Sequence, residues 1–233
     1  MSFTPAQCEA LEAVLPDFED VPSVIESELI DAVDRALRAG ARPPLHYLGA
    51  GMTAIVFGDK VRKAYKVGRH PNEDVAKRIL GTEAEWLADA KKAAGLHGRV
   101  VKFEKFYPWP LLVIVNEEVR RSDNGGYKPY GLDMWAFHQE IAKIMRKRDW
   151  SQPEFKEDSY IYSSNGPVLV DASSTHRLGK RLLAYARELI DGDRPLNGER
   201  IDDLQWSLRM DAGDKLISEE EAAEVSAELE KLK

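Results

Sequence analysis

Leu48-Gly49-Ala50-Gly51-Met52-Thr53-Ala54-Ile55-Val56-Phe57 runs from one short apolar segment through two glycines into another. The flanks read as strands and the glycines as part of the turn between them. Glycine has no Cβ, so backbone at Gly49 and Gly51 can approach a phosphate closely. Ala54 fills a third small position, where glycine would be usual, and Val56 follows two residues on. By itself the stretch is equally an ordinary glycine-rich hairpin. In the next segment, Lys63-Ala64-Tyr65-Lys66-Val67, strand alternation sets Ala64 and Lys66 on one face and Tyr65 and Val67 on the other. Ala64 and Val56 would then leave a flat apolar slot for a purine, and Lys66 on the same wall would reach a phosphate. Standing alone, such a lysine reads as a solvated surface residue.

A lysine in a partly dry cleft needs an anionic partner to orient it. Residues 73–94 read as a helix with Ile79, Trp86, Leu87 and Ala90 on its apolar face, and they offer Glu83 and Glu85. Residues two apart on a helix point about 200° apart, so only one of the two can face Lys66. Glu83 lies four residues before Leu87, on the side of an apolar anchor, and is favoured. The plainer alternative leaves both glutamates on the surface.

Around this segment the chain reads as β-β-β-α-β-β. Strands are expected at residues 45–48, 54–57, 61–67, 100–106 and 111–115, with Gly58-Asp59-Lys60 as a tight hairpin turn. Residues 1–44 are expected to form a helical extension, an appendage to the core. There Thr4, Pro5 and Gln7 give an N-cap, a first-turn proline and a capping-box partner. Pro22 opens a second helix striped by Ile25, Leu29, Ile30, Val33 and Leu37, which Gly40 ends. Residues 45–119 then form one lobe, the polar residues 120–130 a linker, and residues 131–233 a mainly helical remainder. In that last part, helices are expected at 132–146, 176–191, 198–209 and 219–232, the last with a Ser218/Glu221 capping box. Short strands at 159–162 and 168–170 flank Asn165-Gly166.

The order of these elements and motifs resembles the protein-kinase-like superfamily, over about residues 45–173. The matching pieces are the glycine-rich G-A-G-M-T-A-I-V, the K-A-Y-K-V strand, a helix glutamate, the strand and hinge L-L-V-I-V-N-E-E-V at 111–119, and V-L-V-D-A-S at 168–173. The resemblance implies an α+β, bilobal fold with a five-stranded antiparallel N-lobe and a reduced, mainly helical C-lobe. It implies that Gly49, Gly51 and Ala54 lie over the phosphates of ATP and that Val56 and Ala64 sandwich the adenine. Lys66 would contact the α- and β-phosphates and pair with Glu83. Backbone of Asn116, Glu117 and Glu118 would bond the adenine edge, and Asp171 would hold Mg²⁺.

The pattern breaks at the catalytic loop. The family's H-R-D-L-x-x-x-N run supplies a base and a second metal ligand. Here Arg148-Asp149 stands 22 residues before Asp171, and no asparagine follows at the matching place. Asp158 is the candidate second metal ligand, and Glu154 or Asp149 the candidate base, since a carboxylate is chemically adequate. Ala172-Ser173 replaces Phe-Gly after Asp171, and no Ala-Pro-Glu follows. Two readings stay open. One is an Mg-ATP-dependent phosphotransferase acting on a protein or small-molecule hydroxyl. The other is a pseudokinase, a binding or regulatory module without transfer.

Composition narrows the field. The chain has 233 residues and is 43% apolar, which excludes wholesale disorder. Forty acidic against 33 basic side chains give a net charge of −7, which argues against a dedicated nucleic-acid binder. The basic run at 143–148 is too small to reverse that. Apolar runs such as Leu111–Val115 fall far short of the roughly 18 residues of a membrane span. The single cysteine, Cys8, can form no internal disulfide, and the N-terminus lacks the basic-then-apolar plan of a signal peptide. A cytoplasmic protein without membrane or nucleic-acid partners is the expectation. The five histidines show no H-x-x-x-H spacing, so a zinc site is not expected.

Overall fold

Five antiparallel strands form the principal sheet: β1 (His46–Ala50), β2 (Ala54–Gly58), β3 (Lys63–Gly68), β4 (Lys102–Tyr107) and β5 (Leu111–Val115), in the spatial order β1-β2-β3-β5-β4. The structure, a computed structural model, describes residues 3–115, 132–153, 155–156, 159–163, 166–192 and 198–232. The chain divides into two compact units, residues 1–141 with 153–174, and residues 142–152 with 175–233. The sheet belongs to the first. A single helix, α3 (Glu73–Lys91), interrupts the strands between β3 and β4, as the sequence pattern predicts. The architecture is α+β.

Register sorts the sheet's side chains onto two faces. Val56 pairs with Lys66, Lys66 with Leu112, and Ala64 with Ile114, so these residues share one face. Glu83 of α3 meets Lys66 there. The opposite face carries Ile55, Phe57, Tyr65, Val67, Leu111 and Val113, all buried. What covers it is the N-terminal segment: α1 (Pro5–Val14) and α2 (Glu26–Arg38) contribute Leu11, Leu29, Ala32, Val33 and Ala36 to the same core. Residues 1–44 are therefore not an appendage. They supply the apolar layer without which this face of the sheet would lie in water, and that burial is the main stabilising term here.

Local signals explain most element ends. Thr4 caps α1 through a capping box with Gln7. After α2, Gly40 takes φ 93° while Ala41 N–H donates to Ala36 O at 3.0 Å, a glycine-terminated helix end. Several expected starts are displaced, two of them in the N-terminal half for clear local reasons. Residues Ser23–Ile25 make a short 3₁₀ turn, so α2 begins at Glu26 rather than beside Pro22. Strand β3 begins at Lys63 rather than residue 61 because Asp59 organises the preceding turn. Its carboxylate accepts N–H bonds from Val61 (2.8 Å) and Lys63 (3.1 Å) and the Tyr65 hydroxyl (2.9 Å).

The first unit also includes a hairpin, β6 (Tyr160–Ser163) and β7 (Gly166–Leu169). Leu169 N–H donates to Arg99 O at 2.9 Å and accepts at its own carbonyl from Val101 N–H at 3.0 Å. These bonds tie the hairpin to the chain just before β4, so residues 153–174 cluster with the sheet and not with the helical remainder in which the sequence reading places them. The helix α4 (Leu132–Arg146) is divided at residue 141 between the units.

The second unit is helical. Leu182, Leu183 and Ala186 of α5 (Lys180–Asp191), Ile201, Leu204 and Leu208 of α6 (Gly198–Gly213), and Ala222, Val225 and Leu229 of α7 (Glu219–Glu230) form its core. Helix α5 starts at Lys180, not 176. Gly179 takes φ 59° and gives its N–H to the buried carboxylate of Asp211 at 2.6 Å, which holds the preceding residues out of the helix. The Ser218/Glu221 capping box of α7 is present. Among the described residues no helix is long and apolar enough to cross a membrane.

Candidate functional site

Lys66 sits mid-β3, a strand whose central residues are all buried because α2 covers one face and α3 lies against the other. A buried ammonium is costly unless paired. The pairing comes from two directions. Glu83, on α3, places Oε1 at 2.6 Å from Lys66 Nζ, and Asp171, just after β7, places Oδ1 at 3.1 Å. The same Glu83 oxygen accepts the N–H of Ala172 at 3.1 Å, so one carboxylate binds both the lysine and the segment carrying Asp171. Asp171 Oδ1 in turn accepts the N–H of Ser173 at 2.9 Å. All of these residues belong to the first unit.

Burial differs sharply within the trio. The Glu83 side chain is fully buried and that of Lys66 is 7% exposed, whereas Asp171 is 39% exposed. For Lys66, burial favours the neutral amine, but the carboxylates of Glu83 and Asp171 outweigh it and raise its pKa. For Asp171, burial works upward, and Lys66 with the Ser173 bonds overcomes it, leaving the carboxyl below its ordinary value. Glu83 is pushed up by burial, with Lys66 offsetting only part of that cost. Its second oxygen, Oε2, is buried without a hydrogen-bond partner. Within the trio only Asp171 reaches solvent, while Lys66 and Glu83 are buried behind it.

The glycine-rich turn lies at one end of this wall. Gly49 pairs with Val56 across a bulge in β1 and has φ 153°. Gly51 N–H donates to Ala54 O at 2.9 Å, closing the turn over Met52, which is almost fully exposed. A Cβ at Gly49 or Gly51 would meet nothing within 4 Å, so the turn borders open space. Ala54 and Ala64 are buried, and Val56 is half-buried. The structure thus gathers Val56, Ala64, Lys66 and Glu83 on one side of the sheet and adds Asp171 to them. Glu85, the alternative partner of Lys66, lies on the exposed side of α3.

Of the remaining expected site residues, one belongs to the second unit and the others lie outside the described residues. Asp149 belongs to the second unit, at the end of α4, in the left-handed region with φ 61°. Its carbonyl accepts Leu178 N–H at 2.8 Å and its carboxylate pairs with Arg181 at 3.6 Å, so its visible task is to stop the helix. Asn116, Glu117, Glu118, Glu154 and Asp158 lie outside the described residues. Among the described residues no group of three or more His, Cys, Asp or Glu side chains could hold a metal ion. Sequence reading missed Arg69, whose guanidinium donates to Gly51 O at 3.1 Å and to Glu28 Oε2 at 2.6 Å. Only its position directly after a strand paired with the glycine-rich segment hints at that role.

No family model matches the chain, and no curated protein matches it. Among solved structures, it is similar to the Rio2 kinase–ADP/Mg²⁺–phosphoaspartate complex from Chaetomium thermophilum. The identity is 11% and the TM-score 0.42, over 86% of this chain and 74% of that one.

Proposed function

We propose that this protein binds a purine nucleoside triphosphate as a kinase-like protein, with Lys66 on the phosphates. The observation that carries the reading is the Lys66–Glu83–Asp171 trio, in which a buried lysine, its pKa raised by its partners, is held by one buried carboxylate and one accessible one. A purely structural ion pair needs only the first. The second carboxylate, more than a third exposed and kept ionised, suits a hard divalent cation. Mg²⁺ usually takes one or two carboxylates plus phosphate oxygens and water, and Asp171 fits as one of them. When bound, the ion would neutralise charge on the phosphates. Val56 and Ala64 would provide the apolar slot for the base, Gly49, Gly51 and Ala54 the close backbone approach, and Asn116, Glu117 and Glu118 the polar edge.

Phosphoryl transfer to a protein or small-molecule hydroxyl is the fuller form of this proposal. The acceptor oxygen would bond to the γ-phosphorus as the bond to the β–γ bridging oxygen breaks, with the hydroxyl proton passing to a carboxylate, Glu154 or Asp149. Asp158 would be the second metal ligand. A specific observation favours the alternative, a pseudokinase that binds nucleotide as a regulatory module: Asp149 is engaged as a helix stop and paired with Arg181. We place the protein in the cytoplasm, without membrane or nucleic-acid partners.

Thermal unfolding with ATP, with and without Mg²⁺, tests nucleotide binding. Nucleotide at about 100 times its dissociation constant is expected to add roughly 2.7 kcal/mol. Lys66→Ala should abolish the shift, and Asp171→Ala should remove its Mg²⁺ dependence. No shift in the wild-type chain overturns both readings. Transfer of labelled γ-phosphate to a general acceptor or to the chain itself then separates enzyme from pseudokinase.

A further inference from the structure

The turn that would lie over the phosphates is short of bonds of its own. Gly51 N–H to Ala54 O closes it, Met52 stands in solvent, and nothing packs where a Cβ would be at Gly49 or Gly51. Arg69 supplies what the turn lacks. It directly follows Gly68, which pairs with Ala54, and its own N–H donates to Thr53 O at 3.0 Å, carrying the β2–β3 ladder one step into the turn. Its guanidinium then reaches back, with Nη1 donating to Gly51 O at 3.1 Å. The other edge of the fork is fixed from outside the sheet. Nε donates to Glu28 Oε2 at 2.6 Å, and Glu28 stands in the first turn of α2, the helix that buries Leu29, Ala32 and Val33 against the sheet. A planar guanidinium can serve both partners at once because its donors are set in a rigid fork, which a lysine cannot imitate.

We infer that Arg69 is the positioning residue of the glycine-rich turn, and that α2, through Glu28, holds Arg69 in place. The N-terminal helical segment thereby acts on the candidate nucleotide site through Arg69. Its effect on ligand affinity rests on the nucleotide reading, but its effect on the turn does not.

Hydrogen exchange of the nucleotide-free chain reads the turn directly. Losing a charge-assisted hydrogen bond should speed exchange of the Gly51 amide by about tenfold in Arg69→Ala, with a smaller increase in Glu28→Gln. The double variant Glu28→Arg, Arg69→Glu restores an ion pair between α2 and the end of β3, yet a glutamate has no donor for Gly51 O. It should recover thermal stability toward the wild type while the turn still exchanges fast. Unchanged exchange in Arg69→Ala overturns the inference, and so does a charge-swapped chain whose turn is protected as in the wild type. Titration with an ATP analogue adds the functional arm, in which Arg69→Ala should bind about tenfold more weakly than wild type. Equal binding removes the link to the site. A wild-type chain that binds no analogue refutes the nucleotide proposal instead, and the exchange data alone then decide the role of Arg69.

Discussion

Lys66 and Asp171 lie 105 residues apart in the chain and 3.1 Å apart at Nζ and Oδ1. The contact joins a central strand to the segment after the β6–β7 hairpin, and it keeps Asp171 ionised below its usual range. Its pH dependence follows from that depression. A carboxyl whose folded pKa is lowered stabilises fully above its unfolded value, and the contribution drains away as the pH falls through the folded one. Acid unfolding of the wild type should therefore steepen below Asp171's ordinary 3.8. Asp171→Asn should flatten that limb, measured as melting temperature against pH. Parallel curves for the two proteins would deny the contact its electrostatic role.

Removing the lysine is a harsher change. In Lys66→Met, Glu83 stays fully buried and loses its counter-charge. Breaking a buried pair from one side costs about 3–5 kcal/mol, so urea unfolding should show a loss of that order. The double variant Lys66→Met, Glu83→Gln should recover part of it, because no buried charge remains. Glu83 has a raised pKa, the opposite case to Asp171: its protonated form is favoured by the fold, and stability is lost as the pH rises. The single variant should accordingly be worse at about pH 8 than at about pH 5. A loss independent of pH would mean that Glu83 is not the group left exposed to the penalty.

Much of this architecture could be read from local pattern. The succession of strands along the chain, the helix inserted after β3, and the choice of Glu83 over Glu85 follow from periods of two and 3.6 residues, which act over neighbouring positions. What escaped is long-range. The covering of Ile55, Phe57 and Tyr65 by α1 and α2 depends on a tertiary fit that no stripe of apolar residues specifies by itself. The stripe of Leu29 and Val33 is visible in the sequence, but its partner is not. Asp59 belongs to the same class. Its neighbours announce a turn, whereas the Tyr65 hydroxyl that it accepts arrives from the strand beyond. Arg69 reads as one more charged residue because both its partners, Glu28 and Gly51, are distant in sequence.

Gly68 is the point where three elements crowd together. A Cβ there would stand 3.0 Å from the Cβ of Ala76, in the first turns of α3, and 3.0 Å from that of Pro110, in the turn before β5. Neither neighbour has a flexible end that could swing away. Gly68→Ala should thus cost about 1–3 kcal/mol by overpacking, reduced by the roughly 0.4–1 kcal/mol that alanine removes from the unfolded chain's entropy. Urea unfolding checks this. A variant as stable as the wild type would show that α3 can shift freely at its start, and the geometry around Glu83 would then be softer than the ion pair suggests.

His138 on α4 offers a separate reading at milder pH. Its side chain is wholly buried, Nδ1 is hydrogen-bonded to the Tyr160 hydroxyl, and the rings of Trp135 and Phe155 lie against it. Burial lowers its pKa and raises that of Tyr160, so the fold favours the neutral form of both. The unfolded chain takes up the histidine proton near the ordinary 6.5, which pulls the equilibrium toward unfolding as the pH drops below that value. His176 is depressed in the same direction and adds to the loss. In His138→Gln, an amide can still meet the Tyr160 hydroxyl but cannot titrate. The fall in melting temperature between about pH 7 and pH 5 should shrink without vanishing, since His176 remains. An unaltered slope would place His138 in contact with solvent rather than sealed beneath Trp135 and Phe155.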